Sequence, residues 1–134
     1  MRTDFQLEPG IKHQIERAVT EEYTATHVGS GKAAVLATPV MILFMETAAM
    51  EAVQDRLPPG HQTVGIHVDV RHVAPTPVGM KVFVTAELIR VEGRVLTFQV
   101  TARDEQETVG TGTHQRAVID LARFQGRVQA KRPS

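Results

Sequence analysis

The chain has 134 residues, enough for one domain with a real core and too few for two. Fifteen basic residues offset fifteen acidic ones, which removes the electrostatic case for a nucleic-acid or anionic-membrane partner, and the lack of cysteine excludes disulfides, thiolate nucleophiles and zinc–thiolate sites. No apolar run reaches the roughly 18 residues of a membrane span and the N-terminus carries no secretory apolar region, so the expected location is cytoplasmic.

Met1 to Gly10 is polar, ends in Pro9-Gly10, and reads as a loose lead-in. From Ile11 to Tyr23 the chain alternates, with Ile11, His13, Ile15, Arg17 and Val19 on one side, which predicts a first strand. Thr24 to Lys32 contains Gly29-Ser30-Gly31 and reads as a loop. Thr38 to Asp55 then predicts a long helix. A threonine able to cap stands at its start, proline follows where a missing N–H costs nothing, and Leu57-Pro58-Pro59-Gly60 stops it. Residues 40 to 50 are apolar on nearly every side, so this helix is expected to be wrapped by the rest of its domain. Met41, Met45 and Met50, at helical spacing, are expected in that core.

After Gln62 the period becomes two. Val64, Ile66, Val68 and Val70 share a face, and continuing the parity puts His72 on the apolar face at its far end. Lys81 to Val91 and Arg94 to Asp104 are two more strands, joined at Glu92-Gly93 as a hairpin, with Met80, Val82, Val84, Ala86, Leu88 and then Leu96, Phe98, Val100, Ala102 inward. Asp104 to Glu107 turns the chain into a last strand, Thr108 to Leu121, and residues 123–134 form a basic tail that reads as a fraying, solvated end. The whole chain, 1–134, is therefore one α+β domain: strand, long apolar helix, then four strands joined by short antiparallel turns. A twisted antiparallel sheet wrapped around one central helix, the hotdog arrangement, satisfies this order. Such a sheet leaves an edge strand and the helix ends uncovered, so a homodimer at least is expected.

Three polar residues fall in apolar surroundings: Thr38, Glu46 and His72. A lone ionised carboxylate in such a helix costs several kcal/mol, so Glu46 needs a partner, a raised pKa or an opening to water. Carboxylate plus imidazole makes an acid/base pair, and a hydroxyl beside them can attack or position water. The plain alternatives are an N-cap for Thr38, a salt bridge across a dimer seam for Glu46, and a hydrogen-bonded strand-end histidine for His72. His61 and His67 read as surface residues. His114 and Arg116 share a strand face with Gly110 and Gly112, where small residues admit close approach, and Arg116 could pair Glu46, contact a substrate or form a cross-strand ion pair. No HExxH, Walker-type loop or GxGxxG following a strand is present, so no metal, nucleotide or nicotinamide site is expected.

The segments LATPVMILFMETAAMEAV, VGIHVDVRHVAPTPVGMKVFVTAELIRVEGR and GTGTHQRAVIDLARF together resemble the fluoroacetyl-CoA thioesterase family of hotdog proteins, over nearly the whole chain from about residue 35. The resemblance implies hydrolysis of a small acyl-CoA by a catalytic threonine, glutamate and histidine, which correspond to Thr38, Glu46 and His72. It also implies substrate contacts from Gly65, His72 and Arg116. It implies a homodimer with acyl-CoA near the subunit interface, higher oligomers remaining open, and no cofactor beyond the coenzyme A of the substrate. Family members specific for fluoroacetate carry phenylalanines as a lid before the helix, whereas Thr24 to Ala37 here has no Phe, Tyr or Trp. Thioester hydrolysis without fluoroacetyl specificity is therefore expected. The competing readings are an acyl-CoA or small-acid binding dimer without turnover, and an enoyl-CoA hydratase, against which the lack of an Asp-x-x-x-x-His pattern argues.

Overall fold

The computed structural model describes residues 6–133. Five antiparallel strands, β1 (Lys12–Ala18), β2 (His61–His72), β3 (Lys81–Glu92), β4 (Val95–Asp104) and β5 (Thr108–Asp120), form one sheet in the order β1-β3-β4-β5-β2. Between β1 and β2 run a single 3-10 turn (Glu21–Tyr23), a short helix α1 (Ala25–Val28) and the long helix α2 (Thr38–Gln54), and α3 (Leu121–Gln129) follows β5 directly. This is the hotdog fold.

The sheet encloses α2 along one face only. Val40, Met41, Phe44, Met45, Ala48, Ala49 and Val53 are buried against Val82, Val84, Ala86, Leu88 of β3 and Leu96, Phe98, Val100, Ala102 of β4. Each of the larger side chains so buried is worth about 1.5–3 kcal/mol relative to exposure. Phe44 also meets Tyr23 edge-on, with ring centroids 5.1 Å apart, which ties the turn after β1 to the helix. The expectation that the helix would be wrapped on all sides does not hold within one chain. Leu43 is 51% and Met50 37% exposed, at i and i+7 on one face, so Met50 does not belong to the core.

The lead-in is not loose at Leu7, which is buried in the core, and Gly10 N–H bonds the Leu88 carbonyl at 2.8 Å. Residues 1–5 of that lead-in lie outside the described residues. The expected loop 24–32 contains α1, capped by Thr24, whose Oγ1 accepts from the His27 N–H. The basic tail is also corrected. Asp120 Oδ1 accepts from the Arg123 N–H at 3.2 Å, an N-cap that turns the end of β5 into α3 instead of a frayed end.

The largest correction concerns β2. Its pairing with β5 shifts between Gly65 and His67, so Ile66 is an extra residue and the faces exchange there. Gly65 pairs Arg116 and Thr63 pairs Val118 on the side turned to α2, whereas Val64 pairs Ala117 on the other side. Past the bulge, Val68, Val70 and His72 pair His114, Gly112 and Gly110. Thus His72 does lie inward, as the parity predicted, but Val64 does not share its face.

Candidate active site

The segment before α2 is stitched down on both sides. Leu36 N–H bonds Thr76 O at 2.8 Å and Ala37 N–H bonds Tyr23 O at 2.9 Å. Ala37, extended at φ −73° and ψ 141°, occupies the N-cap position, and Thr38 is the first helical residue with Pro39 behind it. The Thr38 hydroxyl therefore does not cap the helix. Its Oγ1 lies 2.7 Å from His72 Nδ1 at the end of β2, where the next residue is anchored by a 2.7 Å bond from Val73 N–H to Val109 O. Thr38 and His72 line a cavity of about 300 Å³ with Ser30, Leu36, Ala74 and Pro75.

Burial pushes the His72 pKa below its ordinary value, and the Ala74 backbone beside it pulls weakly the other way. His72 is thus a neutral imidazole at neutral pH. Its Nε2 is buried and makes no hydrogen bond among the described residues. A buried polar atom left without a protein partner is unusual in a folded protein, and a functional role is one of its ordinary explanations. A short hydroxyl–imidazole contact with a neutral ring can take a proton from the hydroxyl or pass one through it.

Glu46 stands eight residues after Thr38 on the same helix, a rise of roughly 12 Å. It is not sealed in the core: its side chain is 39% exposed, on the open face between Leu43 and Met50. Beneath it lies Arg116, 7% exposed, with Nη1 3.7 Å from Glu46 Oε2. The partner and the opening to water that the sequence demanded are both present. The pair bridges helix and sheet and is not cross-strand. Arg116 is itself held by β2: Nε donates to Thr63 Oγ1 at 2.7 Å and Nη2 to Thr63 O at 3.0 Å. Burial lowers the Arg116 pKa, and the Glu46 charge opposes that.

Gly65 makes the approach of Glu46 possible. A Cβ at that position would stand 2.5 Å from Glu46 Oε2 and 3.5 Å from Arg116 Nη1. The fold therefore produces two groups along α2. Thr38 and His72 meet at its start, while Glu46, Gly65 and Arg116 meet in its middle together with Thr63 and His114. Thr63 carries no sequence signal of its own; only its i−2 relation to Gly65 on the inward face could have found it. Among the remaining histidines, His61 opens β2 with Nδ1 near Pro59 O at 3.2 Å, and His67 is exposed, as expected. Among the described residues no group of three or more His, Asp or Glu is arranged to hold a metal ion, and no helix is long and apolar enough to cross a membrane.

A family model described as fluoroacetyl-CoA-specific thioesterase matches residues 19–122. A fluoroacetyl-CoA thioesterase from Streptantibioticus cattleyicolor is 45% identical over 100 residues, which cover 75% of this chain and 72% of that protein. A solved structure of the fluoroacetyl-CoA thioesterase FlK aligns with a TM-score of 0.90 at 36% identity, over 96% of this chain and 99% of that one. A threonine-to-serine variant of FlK in complex with acetyl-CoA aligns at 0.88 and 36% identity, over 95% and 100% of the two chains. With its sheet, its long helix and nearly its full length matched in this way, the chain belongs to the fluoroacetyl-CoA-specific thioesterase family.

Proposed function

We propose that this protein is a cytoplasmic homodimer that hydrolyses a small acyl-CoA to the free acid and CoA, without fluoroacetyl specificity and without a resident cofactor. The observation that carries the reading is Glu46: a half-open carboxylate on an apolar helix face, fixed over a buried arginine and against a glycine. A charge kept so close to a surface that is otherwise apolar serves a ligand better than it serves the fold.

Pairing of two chains follows from the same face. β2 is a sheet edge of 12 residues with Ile66 51% and Val68 41% exposed, whereas the other edge, β1, is short and charged. A long apolar edge next to the Leu43–Met50 stripe is a surface that seeks a copy of itself. An antiparallel two-fold pairing of β2 centred between Val68 and Asp69 sets His72 of one protomer opposite Gly65 of its partner, next to Arg116. Within one chain seven residues, about 23 Å of strand, separate His72 from Gly65. The dimer thereby completes a Thr38–His72 and Glu46 set that a single chain holds apart.

In the chemistry that this arrangement supports, Glu46 attacks the thioester carbonyl carbon or takes a proton from the water that does so. The Thr38–His72 pair carries a proton between water and the leaving sulfur, so that CoA departs as the thiol. Arg116 and Gly65 face the acyl group, and the N-terminal end of α2 receives developing negative charge. The acetyl-CoA complex of the FlK variant supports a short acyl group. The segment 24–37, lacking Phe, Tyr and Trp, argues against a fluorine-selective lid. Release of free CoA thiol from a panel of short, branched, aromatic and halogenated acyl-CoAs tests the reading. We expect turnover of short acyl groups, a fall of about 10²- to 10⁴-fold in Glu46→Gln, and no strong preference for fluoroacetyl over acetyl. Full activity of Glu46→Gln would refute the assignment, and a folded dimer that binds acyl-CoA without turnover would make it a binding protein.

A further inference from the structure

His114 is fully buried and carries no role in the chemistry above, yet its two ring nitrogens contact β2 and Arg116. Its Nδ1 lies 2.7 Å from the His67 carbonyl and its Nε2 lies 3.2 Å from Arg116 Nη1. A carbonyl can only accept and a guanidinium can only donate, so both contacts hold together in one form of the ring. That form is the neutral tautomer with the proton on Nδ1 and the lone pair on Nε2. The ring also packs beneath Gly65, whose added Cβ would come within 3.3 Å of His114 Cε1.

We propose that His114 is a positioning residue, whose Nε2 lone pair fixes the Arg116 guanidinium in the orientation that faces Glu46 and the acyl group. Thr63 takes the Nε and Nη2 edges of the guanidinium, which leaves Nη1 as the only nitrogen turned toward Glu46. Without an acceptor at His114, Nη1 has an unsatisfied donor in a buried place, and rotation away from Glu46 relieves it. With the acceptor present, one Nη1 hydrogen is occupied and the other is free for the site. The identity of what Arg116 faces rests on the thioesterase reading; the hydrogen-bond relay itself does not.

The groups facing His114 are Arg116 on its own strand, Glu46 on α2 and His67 on β2. Burial lowers its pKa most; the bond to the His67 carbonyl opposes, the Arg116 charge adds to the lowering, Glu46 opposes, and His67 adds slightly. The lone pair is therefore available at neutral pH and is lost in acid, when Nε2–H would point at another donor.

Two substitutions separate this role from a merely structural one. In His114→Gln the side-chain oxygen reaches the place of Nε2 and can accept from Arg116, while in His114→Asn the amide reaches the place of Nδ1 and can donate to His67 O. Positioning predicts that H114N loses about 10- to 100-fold in kcat/KM on an acyl-CoA that the wild type turns over, and that H114Q recovers at least half of that loss on a logarithmic scale. The reverse order, H114N active and H114Q inactive, would mean that His114 only pins the β2 bulge, and equal activity of both would also overturn the proposal. Long-range proton–nitrogen NMR on the unliganded wild type, which needs no substrate, must show Nδ1 protonated and Nε2 bare at neutral pH. A protonated Nε2 would overturn the proposal whether or not any acyl-CoA is hydrolysed. If the variants unfold or the wild type proves inactive, the thioesterase reading and the relay are thus judged separately.

Discussion

Replacing Gly65 with alanine puts one methyl group where the structure leaves room for none. The new Cβ would stand 2.5 Å from Glu46 Oε2, 3.3 Å from His114 Cε1 and 3.5 Å from Arg116 Nη1. Non-bonded carbon and oxygen settle near about 3.3 Å, so the carboxylate oxygen must retreat by about 0.8 Å. The Glu46 side chain is 39% exposed and can swing into water, so the fold yields easily. Alanine in a strand also recovers roughly 0.5–1 kcal/mol of glycine's conformational cost. The melting temperature is therefore expected to stay within about 4 °C of wild type. Catalysis is less forgiving, since a misplacement of about 1 Å costs on the order of 10²-fold, or about 2.7 kcal/mol of transition-state stabilisation. Thiol release from the best acyl-CoA substrate, measured beside a thermal melt, reads both quantities. Wild-type kcat/KM in a Gly65→Ala protein of unchanged stability would refute the argument that the position of Glu46 matters. A loss matched by a large drop in melting temperature would instead mean that the glycine serves the bulge.

Gly110→Ala makes a contrast, because its Cβ would collide with the Met41 sulfur, approach Met41 Cε to 2.8 Å and Arg71 O to 3.0 Å inside the core. There nothing can swing into water, so thermal unfolding should register a loss of about 1–3 kcal/mol. Introducing charge on the open stripe, as Leu43→Glu with Met50→Lys, should convert a dimer to monomers in light scattering and abolish turnover together; an active monomer would refute a site completed between protomers. Acid should weaken the fold through His72 and His114, both lowered chiefly by burial. A histidine with a lowered native pKa stays neutral while the unfolded chain takes up a proton below its ordinary value. Stability should therefore fall as pH drops from about 7 toward 5, seen in melts across that range, and a melting temperature rising over it would contradict both shifts.

Much of this molecule is legible without coordinates, and the legible part is local. The alternation in Lys81–Glu92 and Val95–Asp104, the glycine between them and the proline-started apolar helix each rest on residues near one another in sequence. Periodicity and turn chemistry act over such distances and override competitors when a face is buried. The end of the inward face at His72 was legible as well. The face of Val64 was not, because one extra residue at Ile66 exchanges the faces, and a bulge is set by the register against β5. The tail helix was missed because its signal is a single capping aspartate, Asp120, ahead of a charged segment.

The site divides along the same line. The chain alone determined that Thr38, Glu46 and His72 are polar residues in apolar surroundings and that Arg116 shares a strand face with small residues, because composition and order carry both facts, whereas Gly65 entered only through the family resemblance. Tertiary structure decided which of them meet. It joined Thr38 to His72 through loops anchored at Tyr23, Thr76 and Val109, and it set Glu46 over Arg116 with Thr63 and His114 beneath. Contacts across 34 to 53 positions of chain, such as Thr38 with His72 and Thr63 with Arg116, depend on strand register and helix placement. No local pattern encodes those, because they come from how the whole sheet closes over one face of its helix.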